Sequence, residues 1–174
     1  MTTNPNPNKA SDIKPPSLSA SEIDNLLSKT LIANLATLSQ DDTIHIVPMW
    51  FLRKSNSIYI PTSRHTRKYK NLVARPHASV MIDVSRAGLD LKGVLIQGRV
   101  ELVEGEEARK INDEIHLKYV TPEGLNDPSV ASYLSKGDDI AIKIHMDHLI
   151  NWNLANSIAG KALRARGLSR PLDA

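Results

Sequence analysis

The sequence predicts a mainly β fold with peripheral helices, built as a six-stranded antiparallel barrel, and three observations carry that prediction. Short apolar runs follow one another with turn-like punctuation, as in "TLIANLATLS", "TIHIVPMWFL" and "SIYIPT", separated by "QDD" and "RKSNS". Helical periodicity is confined to the start and to a few later segments, so strands do not alternate regularly with helices as a parallel sheet requires. A length of 174 residues with 41% hydrophobic residues suits one domain with a real core.

The opening "MTTNPNPNKASDIKPPSLSA" is rich in Asn, Pro, Ser and Thr and has no secretory-type apolar segment, so residues 1–18 read as a flexible tail. In "SASEIDNLLSK", Ser19 stands at capping-box spacing from Glu22, and Ile23, Leu26 and Leu27 share one face of a short helix. The three apolar runs then form a meander, and "KYKNLVA" forms a short helix stopped by Pro76. Strands in "HASVMIDV" and "DLKGVLIQGRVELV" follow, then a helix in "GEEARKINDEIHLKYV" with Ala108, Ile111 and Ile115 on one face. The last strand is "DDIAIKIHM", where Ile140, Ile142 and Ile144 alternate with Ala141, Lys143 and His145.

Composition narrows the function. With no cysteine, disulfides, thiolate metal sites and a cysteine nucleophile are excluded. No apolar stretch approaches the roughly 20 residues of a membrane span, so a soluble, cytoplasmic chain with no membrane partner is expected. The pI is about 9.2, yet the net charge is only +3 and aromatics are 4%, too few for a stacking track on nucleic acid. The sequence contains no G-x-G-x-x-G, P-loop, H-E-x-x-H or G-x-S-x-G signature. His145 and His148 lack a third ligand at convincing spacing, so no metal is expected; His116 reads as an ordinary helix histidine, and His45 is left unassigned.

One stretch stands out. "IPTSRHTRKYKNLVARP" places Arg64, Arg67, Lys68, Lys70 and Arg75 across a strand-to-helix junction. A helix start offers unpaired N–H groups and partial positive charge to an anion, and Thr62, Ser63 and Thr66 would add hydroxyl donors. Arg67 as a fork and Lys68 as a point charge match a phosphate monoester. The alternative is a solvated helix face whose cations keep the chain soluble. Pro48 divides similarly between an ordinary edge-strand proline and a break where a planar ligand lies against backbone.

"HIVPMWFL", "YIPTSRHTRKYKNLVARPHASVMIDV" and "GVLIQGRVELV", in this order and spacing, resemble the pyridoxamine 5'-phosphate oxidase-like flavin-binding split-barrel superfamily. The register of Thr62, Thr66, Lys68 and Leu72 is the more specific part of the match, which covers residues 19–152 as the split-barrel domain and leaves 153–174 as a helical or irregular extension. The resemblance implies an oxidoreductase homodimer, with FMN or, in one branch, the deazaflavin coenzyme F-420 between the subunits and a small-molecule substrate; haem or flavin binding without turnover is the non-catalytic alternative. It assigns the cofactor phosphate to Arg67 and Lys68 beside Pro61 and Thr62, and the ring to Val47, Pro48, Met49 and Trp50. Trp152 would reach the partner's flavin or, alternatively, anchor the C-terminal segment. The Thr-Arg-Lys run favours FMN, while Arg64 and Lys70 are available for a deazaflavin tail. Two departures are visible. "NLANSIAGKALRARGLSRP" lacks the Arg-Leu-His-Asp-Arg signature for pyridoxine phosphate substrates, and Gly93 stands where those oxidases carry a flavin-contacting Gln. No catalytic acid or base is assigned.

Overall fold

The structure is a computed structural model that describes residues 16–134 and 138–172. Its first helix, α1 (Ala20–Ser28), starts where Ser19 and Glu22 satisfy each other's backbone N–H groups in a full capping box, and it buries Leu26 and Leu27. Of the expected tail, residues 1–15 lie outside the described residues. The rest is fastened down: the Pro16 carbonyl accepts the Asn153 N–H, the Leu18 N–H donates to the Asn151 side chain, and Leu18 is buried.

The chain continues through β1 (Ala33–Leu38), β2 (Ile44–Met49), β3 (Leu52–Lys54), β4 (Ser57–Thr62), α2 (Arg67–Ala74), β5 (His77–Ala87) and β6 (Asp90–Glu104). It then forms α3 (Gly105–Tyr119), α4 (Pro122–Leu125), α5 (Pro128–Leu134), β7 (Ile140–His145) and β8 (His148–Asn153), and closes with a 3-10 turn over Leu154–Asn156 and α6 (Ile158–Arg166). The strands follow the order β2-β1-β5-β6-β7-β4-β3, with β8 also on β6, and every pair is antiparallel. The long β6 pairs with β5 and β8 in its first part and with β7 in its second. The change of partner falls near Gly98, where a Cβ would stand 1.8 Å from the His145 carbonyl oxygen; only glycine permits that approach.

The expected architecture is present, but the number of strands is eight among the described residues, not six. "TIHIVPMWFL" breaks into β2 and β3 at Trp50 and Phe51, because the backbone of Phe51 is taken by α3. Its N–H donates to the Tyr119 hydroxyl at 3.3 Å, and its carbonyl accepts from Lys118 Nζ at 3.2 Å. The segment "LINWN", expected to lie beyond the last strand, belongs to β8; one of its faces is the outer face of the sheet, so apolar alternation does not announce it. β2 and β3 end the strand path on opposite sides, and two residues of chain, not a ladder, join them.

Inside, Leu35, Ile58, Ile60, Val80, Ile96 and Ile142 are fully buried in one cluster with Phe51, each contributing about 1.5–3 kcal/mol by burial. Helix α3 covers β7 through Ala108, Ile111 and Ile115, the face its periodicity foretold. Outside, the half-sheet of β2, β1, β5, β6 and β8 exposes Ile44 (70%), Ile46 (62%) and Ile150 (53%) to solvent. No helix among the described residues is long and apolar enough to cross a membrane.

Candidate functional site

A cleft of about 910 Å³ opens where the chain passes from β2 to β3. Pro48, Met49 and Trp50 form one wall; Pro61, Thr62, Ser63, Thr66 and Lys68, at the junction of β4 and α2, form another. The cationic junction and the apolar strand end, distant in sequence, are therefore brought together. Three other expected residues are not among them. Val47 packs against the main core, and the Arg67 guanidinium turns to the Thr43 hydroxyl at 3.2 Å. Trp152 lies on β8 with its indole over Gly93, where a Cβ would come within 2.7 Å of Cζ2. The glycine that departs from the oxidase pattern thus makes room for that indole.

The three hydroxyls expected to bind an anion are committed to the turn itself. Thr66 caps α2 by accepting the Tyr69 N–H, and its own hydroxyl donates to the Ser63 carbonyl at 2.8 Å. That leaves the Thr62 hydroxyl to donate to Thr66 Oγ1, 3.0 Å away. The Ser63 hydroxyl and the Arg64 N–H both donate to Asp138 Oδ2, at 3.0 and 2.7 Å. These bonds, the Arg64 N–H first, hold the Asp138 carboxyl below its usual range.

What remains for an anion is Lys68 and the helix start. Lys68 is half-buried, burial pushes its ammonium down, and among the described residues it has no hydrogen-bond or ion-pair partner. Beside it, the N–H groups of Arg67 and Lys68 have no intrahelical acceptor, as the first turn of a helix dictates. Arg64 is paired with Glu104 at 2.6 Å and Arg75 with Asp42 at 2.6 Å, so those two cations serve the surface.

The opposite wall comes from α3, whose Arg109, Asn112, Asp113 and His116 all line the cleft. Sequence reasoning passed over Arg109, Asn112 and Asp113 and read His116 as an ordinary helix histidine, although their i, i+3, i+4, i+7 spacing marks a single polar stripe beside the buried Ala108, Ile111 and Ile115. Burial lowers the pKa of His116, opposed by Asp113, and its ring meets Trp50 edge-on at 6.4 Å. Trp50 in turn stacks on Tyr119 at 5.0 Å with planes 5° apart, which fixes the indole as a flat wall. Asn112 donates to the Ile140 carbonyl at 3.2 Å and keeps a buried Oδ1 with no partner among the described residues. The cleft therefore combines an apolar and aromatic wall with a partly desolvated cation at a helix start, an arrangement suited to a planar ring carrying a phosphate.

The family described as pyridoxamine 5'-phosphate oxidase matches residues 19–153. Among solved structures, the chain is similar to the conserved hypothetical protein Rv2991 from Mycobacterium tuberculosis, at 22% identity over 82% of this chain and 88% of that one, with a TM-score of 0.66. It is also similar to an F420 reductase (20% identity, 73% and 94% covered, TM-score 0.56) and to HutZ, the heme storage protein from Vibrio cholerae (15%, 75% and 92%, TM-score 0.58). Identities this low show a shared fold. No curated protein matches the chain.

Proposed function

The chain belongs to the pyridoxamine 5'-phosphate oxidase family, and from that premise we propose that its cleft holds FMN and that it is an oxidoreductase acting on a small molecule. The observation that carries this reading is Lys68, a half-buried ammonium without a partner among the described residues, at a helix start, in one cleft with Pro48, Met49 and Trp50. A desolvated cation left unpaired is costly unless a ligand supplies the counter-charge.

The residues present fit the group. Lys68 and the first N–H groups of α2 take the phosphate, with Pro61 and Thr62 beside it; Ser63 and Thr66 shape the turn that aims them. Pro48, Met49 and Trp50 wall the ring, with Val47 behind them. When bound, the flavin supplies the hydride or electron transfer, and the chain supplies orientation, electrostatics and exclusion of water. His116, whose pKa burial lowers against the opposing Asp113, offers a ring nitrogen to a substrate proton at the α3 wall.

A second reading, coenzyme F-420, rests on the orientation of Arg67. With that guanidinium on Thr43, the Arg-Lys pair that favoured FMN is reduced to Lys68 within the cleft. Against it, Arg64 is engaged by Glu104 and is not free for an acidic tail.

The reading includes a homodimer formed through the outer half-sheet, where Ile44, Ile46 and Ile150 are exposed and Trp152 stands available to a neighbouring subunit's cofactor. The test is an absorption spectrum of the purified chain followed by fluorescence titration with FMN and, separately, with F-420. Saturable FMN binding is expected; saturation by F-420 alone replaces the cofactor, and binding of neither overturns the proposal.

A further inference from the structure

A second cavity, of about 400 Å³, shares no residue with the cleft. It lies between the end of α1, the β5–β6 hairpin and the C-terminal segment. Lys29, Arg86, Lys92 and Arg164 line it, and among the described residues none of the four is ion-paired. Two carboxylates also line it: Asp90, and Glu22, which accepts the backbone N–H and hydroxyl of Ser19. Four cations against two carboxylates leave a surplus of two positive charges, the complement of a dianion.

A second, independent observation points to a ligand. Asn153 lines the same cavity, is only 4% exposed, and its buried Oδ1 has no hydrogen-bond partner among the described residues. A buried acceptor without a donor is disfavoured, and a small turn of the Asn153 side chain toward a ligand O–H or N–H next to a negative charge would satisfy it. Arg164 is oriented in advance, because one Nη donates to the Ala155 carbonyl at 2.7 Å, which fixes the guanidinium and leaves its other donors for a ligand.

Three of the residues that line the cavity, Ala155, Asn156 and Arg164, lie beyond the family-matched segment, which ends at 153. Helix α6 docks on the 3-10 turn so closely that a Cβ at Gly160 would stand 2.2 Å from the Leu154 carbonyl oxygen. After α6 the chain returns to the hairpin, where Pro171 bridges Ala87 and the Leu172 N–H donates to the Arg86 carbonyl at 3.0 Å. The extension thereby ties the elements carrying Arg86 and Arg164 into one wall.

We propose that this cavity is a binding site for a small dianion with a hydrogen-bond donor beside its charge, of the hydroxylated phosphomonoester or hydroxy-dicarboxylate kind. The proposal stands apart from the cofactor reading. Its test follows the side-chain NMR signals of Asn153, Arg86 and Arg164 in the full-length chain during titration with inorganic phosphate in mildly alkaline buffer, where phosphate is a protonated dianion. A parallel titration uses sulfate, a dianion with no proton to offer, at matched ionic strength.

Saturable shifts with phosphate are expected, with sulfate weaker by about fivefold or more, the scale of one lost hydrogen bond. Asn153→Ala should erase that preference, and Arg164→Gln should weaken phosphate about tenfold through loss of a charge-assisted contact. Arg164 is exposed and lies outside the core, so its variant keeps the test open even where Asn153→Ala fails to fold. Lys68→Ala should leave every one of these shifts in place, which separates this cavity from the cleft. Glycerol 3-phosphate and malate as further probes distinguish the two ligand sources. Absence of saturation by any probe, equal affinity for phosphate and sulfate, or loss of the shifts in Lys68→Ala would overturn the proposal.

Discussion

Lys68→Met is expected to weaken FMN binding without weakening the fold, two outcomes that seldom accompany the loss of one side chain. A hydrogen bond to a charged group is worth about 1.5–3 kcal/mol, and each 1.4 kcal/mol is tenfold, so Kd should rise roughly 10- to 150-fold. The folded chain should lose nothing, because the ammonium is partly desolvated and makes no hydrogen bond or ion pair with a described residue that would offset the loss of water. The sign of the pH dependence follows. With its pKa lowered in the free protein, Lys68 imposes a penalty below that pKa, relieved as pH rises toward the unfolded value of about 10.4. A bound phosphate favours the charged form, so FMN affinity should fall as pH climbs through the lowered pKa, and the Met variant should lack that fall. Fluorescence titration across pH and thermal melts of the free protein measure both arms. An unchanged Kd at neutral pH, or a clear drop in melting temperature, would refute the reasoning.

Three further outcomes test other parts of the structure. Gly98→Ala should cost at least about 1–3 kcal/mol, since its Cβ meets a backbone carbonyl that cannot swing aside; an unchanged urea midpoint would contradict the approach of β6 to His145. Ile46→Lys should weaken the proposed homodimer by about 2 kcal/mol or more for each side chain removed from the contact, with the circular dichroism preserved. Sedimentation at the wild-type mass, or a wild-type chain that is already monomeric, counts against that interface. Burial pushes the Lys118 ammonium down to about 8, so its penalty is fully present below that pH and relieved between about 8 and 10.4. Melting temperatures measured over that window should climb more in the wild-type chain than in Lys118→Met; identical slopes would exclude Lys118 as the titrating group.

Local rules made much of the fold readable. The capping box at Ser19 and Glu22, the stop at Pro76 and the alternation through Ile140, Ile142 and Ile144 depend on neighbours in sequence, and the structure keeps all three. The break at Trp50 and Phe51 depends on Lys118 and Tyr119, far away in the chain, and no local pattern contains it. The same distinction runs through the site. Lys68 and Pro48 were visible because a cation at a helix start and a proline in a strand are locally odd. The rotation of Arg67 onto Thr43 and the capture of the Ser63 hydroxyl by Asp138 are tertiary events. The α3 stripe was legible in spacing, but a polar stripe on a helix ordinarily faces water, and only the packing of α3 over the seam turns it inward to a cleft.

Helix α3 meets the barrel at two kinds of place at once. Its stripe from Arg109 to His116 faces the cleft, while Lys118 and Tyr119, just past that stripe, grip the backbone of Phe51 where no ladder bond joins β2 to β3. A ladder of many bonds resists dilation, whereas two side-chain bonds at a single residue form a compliant joint. Anything that draws on the stripe from within the cleft therefore loads that joint through less than one turn of helix. Helix α3 is thus at once a wall of the cleft and the clasp across the gap between β2 and β3.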